Sequence, residues 1–308
     1  MILFNSFRLK LLAVAGAVTA FTMYSCRTHY SLPEREYTRK NGPLTIEHGR
    51  NLVYNLCGEC HFDAALNILS GRKINELPKA LGTIYSANLT HYGTTGIVNS
   101  YTDAQLACLI KTGIKSDGRF IPYMIRPTLS DIDVNDIICF LRSDDLALSP
   151  AQMPGKTSLS LLGKIASHTQ KPQPYVTGIK NPEPDNAVEN GRYLVDILGC
   201  YHCHSKNILG LNYQQPEQSK GYMRGGMKFR NTEGSKIRSP WLLSDKSALS
   251  EKYSNEQFRR VMQSGITPHG SRLDFPMPIF KYLTDKQCDD IYTYLNACRV
   301  RKKNNKCT

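Results

Sequence analysis

Apolar positions recur along the chain at helical spacing, in two matched series. Leu52, Val53 and Leu56 fall on one helical face, and Leu194, Val195 and Leu198 repeat that spacing. The polar frames before them also match, Glu47-His48-Gly49-Arg50-Asn51 against Glu189-Asn190-Gly191-Arg192-Tyr193. A second matched pair opens at Tyr101-Thr102-Asp103-Ala104-Gln105-Leu106 and Tyr253-Ser254-Asn255-Glu256-Gln257-Phe258. There Thr102 and Ser254 are N-caps, and Gly113 and Gly265 are C-terminal stops. A third pair begins at Ser130-Asp131 and Thr284-Asp285, and carries Ile137, Phe140 and Leu141 or Ile291, Tyr294 and Leu295. The pattern predicts an all-α tandem, two copies of helix, long irregular loop, helix, loop, helix, over 45–148 and 186–298.

Other stretches mark what lies outside the copies. Residues 149–185 hold six prolines (Pro150, Pro154, Pro172, Pro174, Pro182, Pro184) and read as a linker lying against both copies. Within it, Ser158 to Ile165 is apolar enough for a short helix. Residues 1–26 read as an export segment: Arg8 and Lys10 precede an uncharged run from Leu11 to Tyr24, then Ser25-Cys26. That run is shorter than the ~20 apolar residues of a membrane span. Met23-Tyr24-Ser25-Cys26 resembles a lipobox, with Tyr24 where a small residue is usual. The segment is thus a lipoprotein signal with Cys26 lipidated, an ordinary signal peptide or an uncleaved anchor. Residues 27–44 form a spacer, and 299–308 a solvated basic tail.

Charge changes the picture. The net charge of +13 is uneven: 27–148 carry 13 basic and 13 acidic residues, whereas 149–308 carry 24 and 13. A field of one sign steers an acidic partner or an anionic membrane surface onto the second half. Nucleic acid is a poor partner, because no binding motif accompanies the charge and the chain carries an export segment.

The chemistry lies in two pentapeptides, Cys57-Gly58-Glu59-Cys60-His61 and Cys200-Tyr201-His202-Cys203-His204, each just after the first helix of its copy. In Cys-x-x-Cys-His two thiols add to the vinyl groups of a heme and the adjacent histidine ligates its iron. Zinc knuckles would pair about 15–20 residues apart, whereas these motifs are 143 positions apart. Neither flank offers the βαβ pattern of a thioredoxin-type dithiol. The expectation is two covalently attached c-type hemes, on Cys57 and Cys60 with His61 as iron ligand, and on Cys200 and Cys203 with His204. The ten cysteines suit an oxidising compartment. Cys108 and Cys139 read as small buried hydrophobes, Cys298 and Cys307 flank a basic turn that a disulfide could close, and Cys288 stays unassigned.

The second axial position of each iron decides function, since a thioether raises the potential and blocks small ligands. The loop after each middle helix offers a methionine beside a proline, Pro122-Tyr123-Met124 and Pro276-Met277-Pro278. Aligning Gly113 with Gly265 and Leu129 with Leu283 brings Met124 and Met277 together, with one extra residue on each side in the second copy. His269 competes for the second iron, but Gly270 beside it marks an exposed turn. His91 and His168 read as surface residues and His202 as a solvent-edge side chain; Trp241 packs on the second heme or lies on an electron path.

Together these motifs resemble the class I, mitochondrial-type cytochrome c fold in tandem. More specifically, Ser86-Ala87-Asn88-Leu89-Thr90, followed by Gly96-Ile97 and Tyr101-Thr102-Asp103, resembles the Asn-Leu-Thr loop of cytochrome subunits partnering membrane-bound alcohol and gluconate dehydrogenases. Leu129-Ser130-Asp131 after Met124 fits the same family, whereas the second copy departs from it with Ser239-Pro240-Trp241-Leu242-Leu243. The resemblance implies two tandem cytochrome c domains, each a small helical fold around one heme, with Gly49 packed on Phe140 and Gly191 on Tyr294. Those subunits often carry three hemes; this chain has motifs for two.

The expected protein is an exported diheme cytochrome that relays single electrons, periplasmic or anchored at a membrane of a Gram-negative-type bacterium through its N-terminus. Its partners would be a dehydrogenase, an oxidase or another cytochrome, and it needs no catalytic residues. The alternative is a diheme peroxidase or heme-based sensor in which one iron exchanges its sixth ligand, with Met124 as the candidate.

Overall fold

The computed structural model describes residues 14, 16, 29–33, 36–75, 77–93, 95–122, 124–167, 171–231, 233–243, 252–273 and 275–298. The lipobox with Cys26, the rest of the export segment apart from 14 and 16, His168, Cys307 and the tail 299–308 lie outside these. The first copy runs α1 (Thr45–Leu56), α2 (Gly58–His61), β1 (Gly82–Thr83), α3 (Ile97–Ser100), α4 (Asp103–Thr112) and α5 (Asp131–Leu141). The linker holds β2 (Ser158–Leu159) and α6 (Leu161–Ser167). The second copy follows as α7 (Ala187–Leu198), α8 (Cys200–His204), β3 (Lys228–Arg230), β4 (Lys236–Arg238), α9 (Asn255–Ser264) and α10 (Asp285–Ala297). Among the described residues no helix is long and apolar enough to cross a membrane.

The helix ends follow their sequence signals. Thr102 and Ser254 close capping boxes with Gln105 and Gln257, so two orphan N–H groups at each start are satisfied reciprocally. Gly113 and Gly265 end those helices in the left-handed conformation, as a residue without Cβ can at no steric expense. Thr284 closes a third capping box with Gln287, and Ser130 caps its helix by accepting from Asp133 N.

In each copy the first helix crosses the last, α1 on α5 and α7 on α10. A Cβ on Gly49 would lie 1.9 Å from the Asp136 carbonyl oxygen and 3.0 Å from the Phe140 Cβ; on Gly191 it would lie 2.0 Å from the Asp290 carbonyl oxygen and 2.7 Å from the Tyr294 Cβ. The expected glycine–aromatic crossings are therefore present, and only glycine fits at either. Around them Leu52, Val53, Leu106, Ile137 and Phe140 bury one cluster of side chains continuous with Leu194, Val195, Phe258, Ile291 and Tyr294.

The chain is mostly helical, but the all-α expectation is corrected by two small antiparallel sheets. One joins Gly82-Thr83 to the linker at Ser158-Leu159, so the helix expected over 158–165 begins only at Leu161. The backbone groups of Gly82 and Thr83 find their partners there. The linker lies chiefly along the first copy. Ala151 O accepts from the Asn88 amide at 2.6 Å, Gly178 N donates to the Asp131 carboxylate at 2.7 Å, and the Asn181 amide donates to Asp133 at 3.1 Å.

The two copies touch through equivalent positions. Asn51 of α1 donates to the Tyr282 carbonyl at 2.7 Å, just before α10. At the matching place on α7, Tyr193 accepts from Ser130 N at 3.0 Å, just before α5, and its hydroxyl donates to Asp133 at 2.5 Å. Each copy thus offers its first helix to the other's last-helix entry.

Candidate heme-binding sites

The pentapeptides form short helices, α2 and α8, directly after α1 and α7. Both histidines are nearly fully buried. His61 Nδ1 lies 2.7 Å from the Ala87 carbonyl oxygen, and His204 Nδ1 lies 3.0 Å from that of Pro240. A carbonyl only accepts, so Nδ1 carries the hydrogen and Nε2 keeps its lone pair for a metal. Burial pushes both imidazoles below the ordinary histidine pKa, which favours the neutral, ligating form.

A second bond fixes each ring's backbone. Gly71 N donates to His61 O at 2.9 Å and Gly225 N to His204 O at 2.6 Å. Both glycines have positive φ, +87° and +59°, and a Cβ would lie 2.6 Å from Ser86 O or 2.5 Å from Pro240 O. Sequence reading missed this pair, because the two glycines stand at different distances after their histidines.

The thiols favour heme over the competing chemistries. Cys57, Cys60, Cys200 and Cys203 are unbridged. Burial pushes the Cys57 and Cys200 thiols up to about 12, the opposite of the lowered pKa that a redox dithiol needs. Among the described residues no group of three or more His, Cys, Asp or Glu side chains is placed to hold a metal ion. Two thiols and one free imidazole nitrogen per copy fit a covalently attached heme.

Met124 and Met277 are half-buried in equivalent loops. Ile121 N bonds Gly113 O and Arg126 N bonds Ile110 O; correspondingly, Leu273 N bonds Gly265 O and Phe280 N bonds Met262 O. Between these ties the second loop has one more residue on each side of its methionine, as the alignment expects. Met277 packs against the buried cluster. The competitor His269 is exposed.

The surface and solvent-edge expectations for His91 and His202 are corrected, and the remaining cysteines and Trp241 take definite places. His91 is half-buried, with Nε2 3.1 Å from the Leu141 carbonyl. His202 is packed beside the Tyr201 and Tyr213 rings, at 4.3 and 5.4 Å between centroids, and its buried Nε2 has no hydrogen-bond partner. Burial and then the nearby Arg126 cation push its pKa down to about 3. Arg126, two residues after Met124, went unnoticed in the sequence; its charge also acts on Cys57 and Tyr201, so it stands near both pentapeptides. Cys108, Cys139 and Cys288 are buried free thiols, whereas Cys298 is disulfide-bonded. Trp241 is half-buried on the cluster, with the Arg224 guanidinium 5.5 Å from its ring.

The Asn-Leu-Thr loop is built on a buried amide. Asn88 Oδ1 accepts from Thr90 N at 2.9 Å and Thr90 Oγ1 at 2.7 Å, while its Nδ2 donates to Thr95 and Ala151. Leu89 N then bonds Leu69 O, as Leu242 N bonds Met223 O in the second copy. Trp241 and Leu243 stand there in place of Asn88 and Thr90, so apolar packing replaces the amide network.

Asp196 on α7 is buried, and its Oδ1 has no hydrogen-bond partner. Burial pushes this carboxyl up to about 8, against the pull of Arg192, whose Nη1 is 3.7 Å away. In the unfolded chain it titrates near 3.9. Between about pH 4 and 8 the folded state therefore holds a proton that the unfolded state has lost, and stability falls as pH rises through that window. Asp196→Asn is expected to raise Tm at pH 8, to leave it unchanged near pH 4 and to flatten the slope between. Thermal melts across this range check it.

No protein-family model matches the chain. Its relatives include the fructose dehydrogenase cytochrome subunit of Gluconobacter japonicus, 29% identical over 260 residues, covering 78% of this chain and 50% of that protein. The alcohol dehydrogenase (quinone) cytochrome c subunit of Gluconobacter oxydans is 25% identical over 228 residues, 70% of this chain and 46% of its own length. The gluconate 2-dehydrogenase cytochrome c subunit of Pantoea cypripedii is 26% identical over 243 residues, 72% and 53% respectively. The chain thus spans about half the length of the curated relatives it matches. The resemblance read from the doubled pentapeptide and the Asn88-Leu89-Thr90 loop is matched by these relatives, which are cytochrome c subunits of fructose, alcohol and gluconate dehydrogenases.

Proposed function

We propose that the chain is an exported diheme c-type cytochrome of two tandem cytochrome c domains, 45–148 and 186–298, relaying single electrons from a dehydrogenase catalytic subunit to a further redox partner. The observation that carries this reading is the doubled histidine geometry, in which a backbone carbonyl holds each Nδ1 hydrogen and leaves Nε2 to ligate. The dehydrogenase partner follows from the relatives' names. Membrane association through the N-terminus and a periplasmic location belong to the same proposal.

Each residue then has a role. Cys57 and Cys60 attach one heme, with His61 and Met124 as iron ligands; Cys200 and Cys203 attach the other, with His204 and Met277. When bound, the hemes supply reversible one-electron chemistry. The Ala87 and Pro240 carbonyls orient the imidazoles and raise their basicity. Leu69 and Met223, both fully buried, anchor the ring-holding loops through carbonyls that accept from Leu89 N and Leu242 N. No proton transfer is required of any side chain.

Optical and EPR redox titration of the purified holoprotein tests the reading. Two low-spin, methionine-ligated irons titrating as separate one-electron couples are expected. Cys57→Ser and Cys200→Ser are each expected to lose one of two hemes by pyridine hemochrome assay. A high-spin iron that binds carbon monoxide would instead select the peroxidase or sensor alternative.

A further inference from the structure

In both copies the pentapeptide histidine is held at two points by the same stretch of chain. Between those points the chain runs out and back as an arm, residues 72–86 in the first copy and 226–239 in the second. Gly71 N and the Ala87 carbonyl bracket the first arm, as Gly225 N and the Pro240 carbonyl bracket the second. The two arms differ in what covers them.

The first is built over by the linker. Gly82 and Thr83 pair with Leu159 and Ser158, the Thr157 hydroxyl exchanges bonds with the Tyr85 backbone at 2.9 and 3.1 Å, and Gly163 of α6 closes on the Leu81 carbonyl. Its leading cation, Arg72, lies 3.8 Å from the Glu59 carboxylate. The second arm is the β3–β4 hairpin, among the described residues a sheet of two strands alone. Its turn is fixed by Asn231 Oδ1, which accepts from Glu233 N at 3.1 Å and Ser235 N at 2.8 Å.

The hairpin's charges are arranged against its own stability. Lys228 lies opposite Arg238 and Arg230 opposite Lys236, and all four side chains are exposed. Like charges directly opposite on an exposed ladder destabilise it. Among the described residues none of the four makes an ion pair. The guanidiniums turn instead to backbone oxygens, Arg230 to Gly234 O at 2.8 Å and Arg238 to Gly226 O at 3.1 Å. The backbone bonds supply no counter-charge, so the like-charge ladder is of the kind that an acidic partner would neutralise.

We propose that the β3–β4 hairpin is the docking surface for an acidic face of a redox protein, which it seats beside the second heme. The inference rests on the electron-relay reading and deepens it by naming the surface and the partner's chemistry. The hairpin's base is bonded to both ends of His204, so a partner seated on it stands next to that histidine. A protein face fits better than a membrane. Phe229 and Ile237 alternate with the cations and are turned inward, half-buried, whereas an interfacial element would present apolar side chains outward.

The test compares two variants of equal net charge in the holoprotein, Lys228→Glu/Lys236→Glu on the hairpin and Lys73→Glu/Lys79→Glu on the covered arm. In the hairpin variant each new carboxylate faces an arginine, so its Tm is expected to stay level or rise. Labelled polyglutamate serves as the acidic probe, with binding read by fluorescence anisotropy at low ionic strength. The hairpin variant is expected to bind at least about tenfold more weakly than wild type, and the covered-arm variant within about twofold of it. Equal losses in the two variants would mean a nonspecific response to net charge and overturn the proposal. Loss of binding to phosphatidylglycerol vesicles with polyglutamate binding intact would overturn it in favour of a membrane. Polyglutamate binding is scored without any redox step, so failure of the relay reading shows separately, in the redox titration.

Discussion

Replacing Met277 with leucine is expected to abolish the near-infrared charge-transfer band of the second heme and lower its midpoint potential by more than about 59 mV, tenfold in the equilibrium constant of a one-electron couple. A Met277 thioether on the iron would favour its ferrous state, and the loss of that sulfur would leave the position to water or another side chain. Leucine suits the test because Met277 also packs on the buried cluster. A Met-to-Leu exchange usually costs less than about 1.5 kcal/mol, so packing survives while sulfur goes. Met124→Leu should do the same to the first heme only. Optical spectroelectrochemistry of both variants, read beside their denaturation curves, separates ligation from folding. An unchanged band and potential in Met277→Leu would remove Met277 from the iron and reopen the position to His269.

The second large effect belongs to the helix crossings. Gly49→Ala and Gly191→Ala are each expected to lower stability by about 3 kcal/mol or more, the upper end of overpacking. The new methyl would fall 1.9 or 2.0 Å from a backbone carbonyl oxygen of the crossing helix, which cannot yield as a flexible side chain would. The two helices must therefore separate and open the contact with Phe140 or Tyr294. Since α1 and α7 lead directly into the pentapeptides, heme content of the affected copy should fall as well. Gly93→Ala, where a Cβ meets nothing within 4 Å, is the control, expected within about 0.5 kcal/mol of wild type. Denaturant midpoints at constant slope check all three.

Much of this site was legible before any coordinates, and for identifiable reasons. The pentapeptides, the caps at Thr102 and Ser254 and the stops at Gly113 and Gly265 are side-chain or glycine requirements, which a sequence displays directly. The packing of Gly49 on Phe140 and of Gly191 on Tyr294 was implied by the family resemblance, and the glycine contacts at both crossings agree with it. The groups that hold the histidines could not be read, since they are backbone carbonyls of Ala87 and Pro240 and any residue supplies one. The two sheets escaped because strands of two and three residues are too short to show alternation. His202 looked solvent-facing from its place in the motif; only the fold brings Tyr213 and Arg126 against it.

The pairing of Asn51 with the Tyr282 carbonyl, and of Tyr193 with Ser130, has the logic of a homodimer contact. Matching first-helix positions appear on both sides, Asn51 donating to a backbone carbonyl where Tyr193 accepts from a backbone N–H and donates to Asp133. The chain is in this sense a two-fold dimer written on one polypeptide. Its linker turns association into a unimolecular event, with the partner patch held at an effective concentration of about millimolar or higher. A contact linked in this way holds the two copies together whatever the expression level.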